Sequence, residues 1–171
     1  VLTPSDNTAK RQTTHGSAKI QPARVDRVVL FAQRAKRKIL EFGLEAVSLK
    51  YEAFDMTRLA QHITNPKVIE MAYAEEPDSV LWTVRSDGEL LSMTFRRQED
   101  VVGWSRHILG GNFNQGITQV ESVETIPGND GNGQVQNSED RDEVWVVVKR
   151  TINCNTVRYI EFIERDFETG D

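Results

Sequence analysis

The sequence has 171 residues and one cysteine, Cys154. A lone thiol cannot close an internal disulfide, so covalent staples are excluded and no oxidising compartment is implied. Histidine is nearly as scarce. His15, His62 and His107 are the only three, none at ligand spacing from another or from Cys154. A zinc site needs three or four such ligands, so no metal and no cofactor is expected. No run of 18 apolar residues exists, so no membrane-spanning helix is expected. The start, Val1 to Lys19, is polar and lacks the apolar stretch of a signal peptide. The first residue is Val rather than Met, which reads as a piece of a longer protein. There is no G-x-S-x-G, and no Lys-Ser/Thr follows Gly110-Gly111, so neither a nucleophile elbow nor a phosphate loop is present. Basic charge is also in deficit. The net charge of −5 argues against general affinity for nucleic-acid phosphates, though it leaves room for a local basic patch.

Hydrophobic residues make up 38% of the chain and charged residues 27%, the balance of a folded domain. A chain of this size buries roughly 70% of its unfolded surface, enough for a real core. Residues 1–24, rich in Thr, Ser, Gln, Lys and Arg, read as an extended arm or linker. Residues 25–165 read as a β domain. Val25 to Gln33 reads as a strand, followed by Lys38 to Glu45 and Ser48 to Phe54. A short helix is predicted around residues 55–64. Leu59 and Ile63 lie four apart there, Asp55 or Thr57 is placed to cap, and Asn65-Pro66 ends it.

The middle of the chain alternates apolar and polar residues with period two. Ile69, Met71 and Tyr73 share one row, and Val80, Trp82 and Val84 another. Ser86-Asp87-Gly88 then marks a hairpin before Leu91, Met93 and Phe95, and Val102, Trp104 and Ile108 follow. Val120 to Ile126, Val144 to Val148 and Val157 to Ile163 complete the strands. Residues 127–142 form a polar loop and 166–171 a polar tail.

Three segments repeat one grammar: an Asp, an apolar strand with a large aromatic, then a basic residue. They begin at Asp26, Asp78 and Asp142, about 52 and about 64 residues apart. Each leads through a turn into a second strand, at Lys38, Glu89 and Val157. Repeated antiparallel units bury their faces by stacking, and the commonest result is a β-propeller. The fold class is therefore all-β, with antiparallel propeller-like blades in a partial propeller. Another antiparallel sheet packing is the alternative. About two to three blades are too few to close, since propellers use about 4–8.

The candidate sites are weighed against plain structural roles. Arg34, Lys36, Arg37 and Lys38 could meet DNA phosphates or a partner, but they also read as a solvated hairpin turn, which the acidic balance favours. Trp82, Trp104 and Trp145 could stack a ligand, but two of them recur in the repeat, which points to packing between blades. Asp26, Asp78 and Asp142 read as turn caps. Ser105, His107 and Asp100 do not make a hydrolase triad, because Ser105 and His107 are neighbours on one strand face. No enzyme is expected. For a glycan-cleaving site, Glu75, Glu76, Asp78, Asp87 and Asp100 supply carboxylates, but no pattern selects a pair.

The stretch AEEPDSVLWTVRSDGELLSMTFRRQEDVVGWSRHILGG, with VESVETIPG, DEVWVVVKRTIN and TVRYIEFIE after it, resembles a family of phage and prophage virion proteins. RQTTHGSAKIQP, VLFAQRAKRKILEF and DMTRLAQHI resemble the segment that precedes it. The likeness spans about residues 10–165, and Pro77–His107 and Asp142–Glu164 carry its most specific parts. It implies a tail or packaged-DNA-stabilising structural protein, similar to the ring-forming hub or nozzle proteins of short-tailed phages. Its partners would be copies of itself and other phage tail proteins, with DNA contact left open, and its place would be the virion tail after synthesis in the bacterial cytoplasm. A receptor- or carbohydrate-binding module of a tail is the alternative. Family turns near Arg34 and Asn153 tend to carry glycine. Here they read Ala35-Lys36 and Cys154-Asn155, so a different or looser turn is expected.

Overall fold

The computed structural model of the chain describes residues 11–45, 49–127 and 142–163. The start of the arm, residues 128–141 of the polar loop and the polar tail lie outside the described residues.

The described chain is all-β, with antiparallel pairing throughout. The first sheet holds β1 (Ala23–Val25), β2 (Val28–Ala32), β3 (Ile39–Glu45) and β4 (Lys50–Asp55), in that order across the sheet. The second holds β5 (Val68–Ala74), β6 (Val80–Arg85), β7 (Leu90–Arg96) and β8 (Val101–His107), again in sequence order. A small hairpin of β9 (Asn112–Phe113) and β10 (Gly116–Ile117) follows. The third sheet holds β11 (Gln119–Pro127), β12 (Asp142–Ile152) and β13 (Asn155–Ile163). The three repeat segments found in the sequence are β2, β6 and β12, and each is the second strand of its sheet.

The sheets stack face to face in sequence order. Side chains alternate across a strand, so each sheet has a leading face, toward the next sheet, and a trailing face, toward the previous one. Val28, Leu30, Ala32 and Ile39 on the leading face of the first sheet pack against Val68, Met71, Leu81, Met93 and Phe95 on the trailing face of the second. The leading face of the second sheet, with Ala72, Ala74, Val84 and Leu90, packs against Val120, Val123, Val144, Val146 and Val148 of the third. The middle sheet is thus covered on both sides. This is why β6 buries Leu81, Thr83 and Val84 alike, rather than every second residue. Each fully buried aliphatic side chain contributes about 1.5–3 kcal/mol. The described residues form an open stack, with no closed barrel.

Three expectations are corrected. Residues 55–64 are a chain of turns, not a helix. The Asp55 carboxylate does accept the Thr57 N–H at 2.9 Å, as a cap would. Next, however, come two successive four-residue turns, closed by Ala60 N–H donating to Thr57 C=O and Ile63 N–H donating to Ala60 C=O, each 2.9 Å. Leu59 is 95% exposed, so the expected apolar face buries nothing there and a helix has nothing to dock it. Second, Val25 to Gln33 is two strands, because Asp26 turns the chain with φ +51° between β1 and β2. Third, the β5 register slips between Val68 and Glu70, which takes Ile69 out of the row of Met71 and Tyr73.

The described part of the arm is tied down. Ala18 N–H donates to Ala32 C=O at 2.8 Å, Ser17 pairs with Gln33, and Ala18 and Ile20 pack on the core.

Candidate functional site

The three repeat aspartates do three jobs. Asp26 takes the left-handed backbone of the β1–β2 turn. Asp78 accepts from Arg96 Nη2 at 2.7 Å. Asp142 joins two sheets: its Oδ2 accepts the N–H groups of Glu75 at 2.6 Å and Glu76 at 3.3 Å, and its own N–H donates to Glu76 C=O at 3.0 Å. The expected turn cap is therefore, at Asp142, a latch between the second and third sheets.

The tryptophans divide in the same way. Trp104 packs on the first core and donates from Nε1 to Met56 C=O at 3.0 Å. Trp82 lies on the leading face of the second sheet, packed on the second core with its ring 4.9 Å from that of His107. Trp145 lies on the leading face of the third sheet, where no sheet among the described residues covers it. It stacks at a tilt on Phe162 at 5.4 Å and donates to Glu143 Oε2 at 2.9 Å.

The basic run forms the β2–β3 turn. Lys36 adopts φ +62°, and its C=O accepts from Val68 N–H at 2.7 Å. Arg37 C=O accepts from the Thr64 hydroxyl at 2.6 Å, and Lys38 Nζ pairs with Asp55 at 2.7 Å. Arg34 and Arg37 point to solvent. The run thus fixes the first sheet to the start of the second.

A pairing the sequence did not suggest is Ser92 with His107. The β7–β8 register places Ser92 opposite Ser105, and Ser92 Oγ lies 2.7 Å from His107 Nε2. Burial pushes the His107 pKa below its ordinary 6.5 and favours the neutral ring. Ser105 is exposed, and among the described residues no hydrogen bond to a carboxylate orients His107, so the arrangement is a pair without the third member of a triad. Beside it, Trp82, His107, Val80, Val144 and Ile163 line a cleft of about 260 Å³ between the second and third sheets, with Glu76, Asp78 and Asp142 among its lining residues. His15 and His62 are exposed and do not line this cleft. Among the described residues no group of three or more His, Cys, Asp or Glu converges on a metal-sized position, and no helix is long and apolar enough to cross a membrane.

No protein-family model matches the chain, and no curated protein matches it.

The two ends of the stack are the remaining surfaces. The leading face of the third sheet shows Ile126, Trp145, Val147, Ile160 and Phe162, with Ile160 73% and Phe162 49% exposed. The trailing face of the first sheet carries Phe31 and Leu40, both buried, and farther along it Phe42, Leu44 and Tyr51. Phe42 and Tyr51 stack at 5.4 Å, and Tyr51 is 47% exposed. The sequence did hold a signal for the first of these faces. In β13 each alternating row carries large apolar residues, Val157, Tyr159 and Ile163 beside Glu161 in one and Ile160 and Phe162 beside Arg158 in the other, whereas a strand with one solvated face alternates apolar with polar.

Proposed function

We propose that this chain is a structural component of a bacteriophage or prophage tail and works by assembling with copies of itself and with other virion proteins. The observation that carries the reading is the apolar leading face of the third sheet. Isolated surface apolars are ordinary, but Ile126, Trp145, Val147, Ile160 and Phe162 lie together on one face of the sheet, the kind of surface that marks a protein contact. The resemblance of Pro77–His107 and Asp142–Glu164 to tail proteins supplies the setting. Arg34 and Arg37 remain available for phosphate or partner contact from the β2–β3 turn. An antibody raised against the chain is expected to decorate the tail of particles from the phage that encodes it, by immunogold electron microscopy. Label found only outside particles would overturn the reading.

A receptor- or carbohydrate-binding role is favoured by one feature, the Trp82 cleft, since an aromatic beside carboxylates suits a sugar. Binding on a glycan array that is lost in Trp82→Ala would establish that role.

A further inference from the structure

We infer that the cleft between the second and third sheets binds a small organic cation, an alkylammonium group. This site is independent of the assembly reading, and it takes a different ligand from the sugar weighed above.

Three observations carry it. The first is charge. Glu76, Asp78 and Asp142 line the cleft, and no Lys or Arg stands among its described lining residues. Arg96 answers Asp78, at 2.7 Å. Asp142 meets two backbone N–H groups, which orient its carboxylate without cancelling the charge. The exposed Glu76 side chain makes no hydrogen bond or ion pair among the described residues. His107 brings no compensating charge, because burial favours its neutral ring. The second observation is the wall. Ala74, Pro77, Val80, Val144 and Ile163 give an apolar lining to about 260 Å³. Methyl and methylene groups fit such a wall, whereas the hydroxyls of a sugar would meet few partners on it. An alkylammonium group presents apolar surface and positive charge together. The third is Trp82. An indole attracts a cation held over its ring within about 6 Å. Trp104 and Trp145 each spend the indole N–H on an acceptor in the chain, but that of Trp82 meets none among the described residues. It is left for an oxygen on the same ligand.

The test follows the indole N–H signals of the three tryptophans in proton–nitrogen correlation spectra of the whole chain, with that of Trp82 identified by its loss in Trp82→Phe. Choline is expected to move the Trp82 signal saturably and to leave those of Trp104 and Trp145 in place. Neohexanol, which has the shape and hydroxyl of choline without the charge, is expected to bind about tenfold more weakly. Glu76→Gln keeps the backbone bonds to Asp142 and is expected to weaken choline binding about threefold, with the unfolding midpoint unchanged. Nα-acetyl-lysine amide separates the sources of the cation: tighter binding than choline assigns it to a protein side chain, and weaker binding to a free small molecule. Equal binding of choline and neohexanol would make the cleft merely apolar and overturns the inference. No response to either cation overturns it too, and so does a saturable response to glucose in place of choline, which is the sugar reading. None of these outcomes alters the antibody label on tails, so the cation site and the tail reading stand or fall separately.

Discussion

Arg85 shows how much one buried charge organises. Its side chain is 9% exposed, and it lies against the carboxylates of Asp87 and of Glu89, the latter at 2.6 Å, and donates to Ile63 C=O at 2.8 Å. The hydrogen bond with Asp87 raises the guanidinium pKa and lowers that of the carboxylate. Arg85→Met is expected to lower stability by about 2–3 kcal/mol in urea unfolding, because Glu89 is left buried with only the outer Arg106 at 3.2 Å. Arg106→Met, a solvated partner, is expected to cost under about 1 kcal/mol. His107 sets a pH response. Its lowered pKa means the unfolded chain binds the proton first as pH falls, so stability drops with acidification below 6.5. A fall in melting temperature of a few degrees is expected between about pH 7 and about pH 5.5, and a smaller one in His107→Gln. Neither the Arg85 cluster nor the Ser92–His107 pair was legible in the sequence, since both depend on register and on which loop folds over which strand.

At the scale of elements, what was legible followed from period and turn chemistry. Asp87-Gly88 announced its hairpin because Gly88 must take φ +85°, and an added Cβ would sit 2.6 Å from Gln119 Cβ. The helix at 55–64 was misread because Leu59 and Ile63 have helical spacing with nothing to bury against. Leu59→Ala is therefore expected to change stability by less than about 0.5 kcal/mol, whereas Leu81→Ala, in the first core, should cost about 2–5 kcal/mol, both read from urea midpoints. The turns that lack the expected glycine keep a left-handed backbone all the same: Lys36 has φ +62°, Asn153 +49° and Cys154 +63°. The β12–β13 turn is thus strained rather than looser. Cys154→Gly is expected to raise stability by about 0.5 kcal/mol, the relief of left-handed strain less the entropy glycine adds to the unfolded chain. Thermal unfolding of the two proteins measures it.

Over the whole molecule, the repeat at Asp26, Asp78 and Asp142 marked the second strand of each sheet, so the unit of construction could be read directly. The roles within the unit could not. The same aspartate turns a chain, pairs with an arginine or latches two sheets, according to what the neighbouring sheet presents. The double cover of the middle sheet also ranks the sheets by local stability. In native-state hydrogen exchange the amides of β6 and β7 are expected to exchange most slowly and those of β13 markedly faster. Equal protection across the three sheets would contradict the stack.

The order of strands bears on how the chain leaves a ribosome. Among the described residues every strand of a sheet pairs with its neighbours in sequence, and none waits for one made much later. The first sheet is complete once Asp55 has emerged, the second once His107 has. Each new sheet then arrives as the cover for the exposed face of the one before. Synthesis and stacking run in the same direction, with little sequence between any two partners, and a pause in translation between sheets would strand one apolar face rather than a whole core.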